Sequence, residues 1–128
     1  ASTHNNIKIY SFEPSTSNLR ILSRNISIND LSDKISIAQF PLSKENFQFS
    51  KMNEQEFKEG WSMNTFGKPT DYEGKEFKPR QKYKIFGMSI DYLVQSNILE
   101  KPNYIKIDVD GIEDKILAGG IKSLNNQS

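Results

Sequence analysis

No cysteine occurs among the 128 residues of this chain. That excludes a disulfide framework, a thiolate zinc site and a cysteine nucleophile, and it fits a reducing compartment. The single histidine, His4, stands alone near the N-terminus and is given no role. Neither sign of charge prevails, because 17 Lys and Arg against 16 Asp and Glu leave a formal net charge of +1. A broad electrostatic footprint for nucleic acid or an anionic membrane is therefore missing. No apolar run approaches the roughly 20 residues that span a bilayer, and Ala1 to Asn6 lacks an apolar signal core, so a cytoplasmic location is expected. A Gly-x-Ser-x-Gly elbow, a phosphate-cradling loop and a His-Glu-x-x-His pair are all absent. The length suits one compact domain and leaves no room for two.

What is present reads as alternating strands and helices. Ile7 to Phe12 alternates and is β-prone, and Glu13-Pro14 stops it because proline cannot continue a ladder. Ser15, Thr16 and Ser17 offer N-caps for a helix through about Asn25, with Leu19, Leu22 and Ile26 as its apolar stripe. A second strand is expected from Lys34 to Phe40, closed by Pro41. From about 43 to 83 the chain is polar and broken by Gly60, Gly67, Pro69, Gly74 and Pro79. This stretch reads as an excursion with hairpin character, in which Phe47 and Phe49 alternate and Trp61, Met63 and Phe66 pack them down. Regular pattern returns at Lys84-Ile85-Phe86. A short helix is expected over Ser89 to Gln95, with Ile90, Leu93 and Val94 on one side. A strand from Tyr104 to Asp110 follows, then a helix from near Ile112 that buries Ile112, Ile116 and Leu117 and weakens at Gly119-Gly120. The order is that of parallel α/β architecture.

Two acidic sites stand out. Glu13 falls at the carboxyl end of the first strand, where α/β folds bind ligands and where an acid accepts hydrogen bonds from ribose hydroxyls. On position alone, decoration of a strand-to-helix turn is the more ordinary reading. In Tyr104 to Glu113, Ile105, Ile107 and Val109 point one way while Lys106, Asp108 and Asp110 point the other. Charge on a half-buried strand is costly unless paired or used. Asp108, Asp110 and Glu113, with Gly111 permitting a tight bend, suit a hard divalent cation or a general base toward a substrate hydroxyl. They suit helix capping with a Lys106–Asp108 pair just as well. Lys106 is also placed to stabilise developing negative charge.

At these two sites the chain resembles the FkbM family of S-adenosylmethionine-dependent methyltransferases. The first matching block is Tyr10-Ser11-Phe12-Glu13-Pro14-Ser15, continuing through Asn18, Leu22 and Asn25 to Asn29. The second is Ser89-Ile90-Asp91-Tyr92-Leu93, then Ile105 to Glu113 and Ile116-Leu117-Ala118-Gly119. Phe40-Pro41-Leu42-Ser43 stands where the family has a turn after its third strand. The resemblance implies an α/β, Rossmann-like class I methyltransferase fold and methyl transfer to a hydroxyl of a sugar, glycan or secondary metabolite. It implies that Glu13 holds the cofactor ribose and Leu42 borders the adenine. Lys106, Asp108 and Glu113 would face the methyl-transfer site, with Asp108 touching both cofactor and acceptor; no metal is assigned.

The family's first strand and glycine-rich loop should precede Ile7, and a further strand should follow Leu124. The resemblance thus implies an incomplete domain over 1 to 128, a fragment of a longer enzyme whose three parallel strands lack their central neighbour. Two other readings stay open. A non-catalytic Rossmann-like binding or interaction module needs no methyl-transfer site. A nicotinamide-dependent oxidoreductase also places an acid after its second strand, but gives Lys106 to Gly111 no task. The partner expected throughout is a small-molecule or glycan acceptor, with neither nucleic acid nor membrane and with the oligomeric state open.

Overall fold

The computed structural model describes residues 7–54, 64–69, 73, 75, 76 and 78–125. Its first unit is strand β1 (Ile9–Phe12), helix α1 (Thr16–Ile28) and strand β2 (Ile35–Ala38), with β2 parallel to β1. Ile9 lies opposite Ile35 and Phe12 opposite Ala38. The ladder's last rung is the Glu13 N–H donating to the Ala38 carbonyl at 3.1 Å. Pro14 has no N–H to offer, so pairing ends there. Of the three candidate caps, Ser15 is the one used. Its backbone is extended and its Oγ accepts from the Asn18 N–H at 3.4 Å. The helix reaches Ile28, three residues past the expected end, and the chain reverses through Asp30 in the left-handed region at φ +54°. Ile26 is its buried apolar anchor, while Leu19 and Leu22 are half-buried.

The polar middle forms a second, antiparallel sheet. Strands β3 (Gln48–Glu54), β4 (Asn64–Phe66) and β5 (Gln81–Gly87) are ordered β4-β3-β5. Lys84 to Phe86 therefore belongs to this sheet and does not begin a new parallel layer. Of the residues expected to pack the hairpin, Phe66 lies against Gly87; Trp61 and Met63 fall outside the described residues. The two sheets meet through aromatic rings. Phe12 packs edge-on against Phe40 at 5.6 Å, and Phe40 stacks on Phe86 at 6.2 Å. Phe47 and Phe49 close on the same Phe86 ring at 6.1 and 5.7 Å.

After β5, Ser89 caps helix α2 (Ile90–Gln95) by accepting from the Tyr92 N–H at 3.1 Å. Helices α3 (Glu113–Ala118) and α4 (Ile121–Leu124) follow. Leu93 is 1% exposed and Ile90 3%, each burial contributing about 2 kcal/mol, and with Met52, Met88 and Ile116 they form the core. Asp91 joins α2 to α4, its carboxylate accepting from the backbone N–H groups of Ser123 at 2.7 Å and Lys122 at 3.1 Å. Burial works to raise this carboxyl, but the hydrogen bonds from Ser123 and Lys122 outweigh it and hold it below its usual range.

Two expectations are corrected here. Tyr104 to Asp110 is not a strand. A strand needs a neighbour to complete its ladder, and none of the backbone ladders among the described residues includes this segment. The expected three parallel strands are thus two among the described residues. Second, Leu117 is 49% exposed; α3 has six residues, too few to wrap a wide apolar stripe onto the core, and only Ile116 is buried. Among the described residues no helix is long and apolar enough to cross a membrane. The architecture is mixed α/β.

Candidate functional site

Glu13 is positioned by everything around it. The ladder fixes its backbone, Pro14 fixes the bend, and the Ser15 N–H donates to Glu13 Oε1 at 2.9 Å. Ser15 is fully buried and its hydroxyl lies 2.9 Å from that of Ser17, so the turn is held from beneath. Burial lifts the Glu13 carboxyl above its ordinary value of 4.5; hydrogen bonds from Ser15 and the Asn18 side chain oppose that, and the nearby Glu54 pushes it further up. A carboxylate offers about four lone-pair sites. Among the described residues Ser15 and Asn18 use two, which leaves acceptor capacity for the paired hydroxyls of a ribose.

Leu42 is half-buried in the turn that leaves β2. It makes a parallel bridge to Met88, with Ser43 N–H donating to the Met88 carbonyl at 2.9 Å and Met88 N–H to the Pro41 carbonyl at 3.2 Å. Gly119 presses on the far side of this turn. A β-carbon there would stand 2.3 Å from the Ser43 carbonyl oxygen.

The second acidic cluster is arranged differently from expectation. Lys106 and Asp108 do pair, at 2.9 Å, as residues two apart on one face of an extended chain can. They do so in solvent, with 85% and 79% of their side chains exposed. Gly111 makes the predicted bend at φ +84°. Glu113 is exposed in the first turn of α3. Asp108, Asp110 and Glu113 do not gather around a cation-sized space, and among the described residues no group of three His, Cys, Asp or Glu does. The reason is the missing ladder: without strand neighbours, nothing draws the turn and the helix end together. No hydrogen bond or ion pair among the described residues joins Glu13 or Leu42 to Lys106, Asp108 or Glu113.

Comparison with known protein families bears on the chain as a whole. The model of the Methyltransferase FkbM domain matches residues 2–127. The chain belongs to the FkbM methyltransferase family. No curated protein and no solved structure matches it. Membership makes this a methyltransferase domain, and it ranks the FkbM blocks above the nicotinamide alternative.

Sequence reasoning missed two residues of this FkbM domain that adjoin Glu13. Glu54 is completely buried, and its Oε1 accepts from the Tyr83 hydroxyl at 2.8 Å. The Pro14 carbonyl, at 3.1 Å, shares that one phenolic proton as a longer acceptor, and the phenol oxygen accepts from the Thr16 N–H at 3.4 Å. Burial, then the bond to Glu54, pushes the Tyr83 hydroxyl up to about 12. Neither residue carries a local signal, since both lie in the polar middle and meet Glu13 only through strand register.

Proposed function

We propose that the chain is part of an S-adenosylmethionine-dependent O-methyltransferase acting on a hydroxyl of a sugar, glycan or secondary metabolite. The scaffold in this reading is a Rossmann-like class I methyltransferase fold. Its support is the parallel β1–α1–β2 unit and, above all, one observation: Glu13 sits half-buried at the carboxyl end of β1, with its turn locked and acceptor capacity to spare. S-adenosylmethionine supplies an electrophilic methyl group when bound. Glu13 accepts hydrogen bonds from the ribose hydroxyls, and Leu42 lies along the adenine. Asp108 would accept the proton that the acceptor hydroxyl loses, Lys106 would balance the charge and Glu113 would border the same region. The partner is a small-molecule or glycan acceptor in the cytoplasm; a net charge of +1 supports neither nucleic acid nor membrane.

Calorimetric titration tests the reading. S-adenosylhomocysteine should bind, a nicotinamide dinucleotide should not, and Glu13→Gln should weaken binding at least about tenfold, the scale of a charge-assisted hydrogen bond. A silent titration with S-adenosylhomocysteine would end it. A second reading, a non-catalytic binding module, is favoured by the solvent exposure of Lys106 and Asp108, because proton-transfer groups work best where water is excluded. Cofactor binding without transfer to any hydroxyl acceptor would select that reading.

A further inference from the structure

We infer that Tyr83 and Glu54 are positioning residues that hold the Glu13 turn in its binding geometry, so that the antiparallel sheet braces the parallel one. The inference rests on the reading of Glu13 as the ribose ligand and deepens it. In the β3–β5 register Met52 faces Tyr83 and Glu54 faces Gln81. Tyr83 and Glu54 are thus diagonal neighbours on one sheet face, within reach for an aromatic and a long side chain. That face carries the Tyr83 hydroxyl onto two backbone groups, the Pro14 carbonyl at 3.1 Å and the Thr16 N–H at 3.4 Å. Between those two groups stands Ser15, whose N–H orients Glu13 at 2.9 Å. One phenol oxygen therefore grips the chain on both sides of the residue that aims the carboxylate. Glu54 in turn aims the phenol, from 2.8 Å.

Packing alone does not account for Glu54. It is 0% exposed, and its Oε2 is buried with no hydrogen-bond partner among the described residues. An apolar side chain of similar volume would fill the space without an unsatisfied oxygen, which is costly to bury. The acid is explained by what its other oxygen does, which is to direct Tyr83.

The test reads the unliganded chain first. Amide hydrogen exchange is followed by NMR at Ser15, whose N–H bonds to Glu13 and to neither of these side chains, and at Lys51, Lys84 and Leu93 as reporters of the sheet and core. Tyr83→Phe should speed Ser15 exchange about tenfold or more, leaving the reporters unchanged. Glu54→Gln keeps an acceptor for the phenol and should preserve Ser15 protection; Glu54→Leu should lose it. Ser15 exchange at the original rate in both Tyr83→Phe and Glu54→Leu overturns the inference, as does a uniform rise across all reporters. A second arm titrates S-adenosylhomocysteine. Tyr83→Phe should weaken binding about tenfold in the original chain and have no further effect beside Glu13→Gln, because it acts through that carboxylate. Equal losses in both backgrounds also overturn it. Should the original chain bind nothing, the functional reading falls, and the exchange data still decide whether Tyr83 positions the turn.

Discussion

Replacing Gly119 by alanine should loosen the seat of the Leu42 turn. Gly119 has φ −77°, ordinary for any residue, so the backbone itself welcomes alanine, with a gain of about 0.5–1 kcal/mol over glycine in a helical setting. Space decides the outcome. The new β-carbon would lie 2.3 Å from the Ser43 carbonyl oxygen and 3.1 Å from both the Ser43 carbonyl carbon and the Lys44 α-carbon. The first contact is about 1 Å inside the ordinary range that starts at 3.4 Å. All three atoms are backbone, so no rotamer change relieves it, and overpacking of this kind costs about 1–3 kcal/mol. The balance is a net loss of about 1–2 kcal/mol, or a fall in Tm of roughly 3–10 °C for a chain of this size. Calorimetric melting reads the first quantity, and S-adenosylhomocysteine titration reads the displacement of Leu42 as weaker binding. Gly67→Ala is the control: it meets open space at φ +105° and carries only conformational strain. A Gly119→Ala chain that melts at or above the original temperature would refute the reasoning.

Asp91→Ala removes two bonds to the α4 N-terminus and should cost about 1–2 kcal/mol in urea denaturation, as loss of a capping acid does. Its carboxyl is depressed in the fold, so its contribution is present above the unfolded value of 3.8 and is lost as pH falls through the folded value; acid titration of stability should show that loss, and the alanine variant should not. Glu13 has the opposite sign. Its folded value is raised, so the unfolded chain releases the proton first and stability falls as pH rises from 4.5 through the folded value. Glu13→Gln should abolish that fall and melt no lower than the original at neutral pH, even as the proposed cofactor binding weakens. Lys106→Ala, breaking an exposed pair, should change stability by less than about 0.5 kcal/mol. Asp108→Asn should be equally stable but lower methyl transfer; full turnover would remove Asp108 from the proposed chemistry.

The parts of the molecule legible in its sequence are those governed by neighbours along the chain. Pro14 and Ser15 dictate where β1 ends and α1 begins, and Ser89 does the same for α2, because a cap acts over three residues. Gly111 advertised its bend for a similar reason. Tyr104 to Val109 shows the opposite case. Its alternation promised a covered face, yet Ile105 and Val109 are 39% and 37% exposed and Asp110 is more covered than either. Alternation says which face a residue takes and nothing about whether a partner strand is beside it. Glu54 and Tyr83 were illegible because their meeting spans 29 residues and depends on a register no local pattern encodes.

The span from Tyr83 to Pro14 is longer still, 69 residues. Closing the longer loop costs somewhat more chain entropy than the β3–β5 pairing does, so this junction is expected to form after that pairing. Binding competence and secondary structure can then part company. A sample can hold its antiparallel sheet while the Glu13 turn is unbraced, and circular dichroism of such a sample would overstate the fraction able to take a ligand.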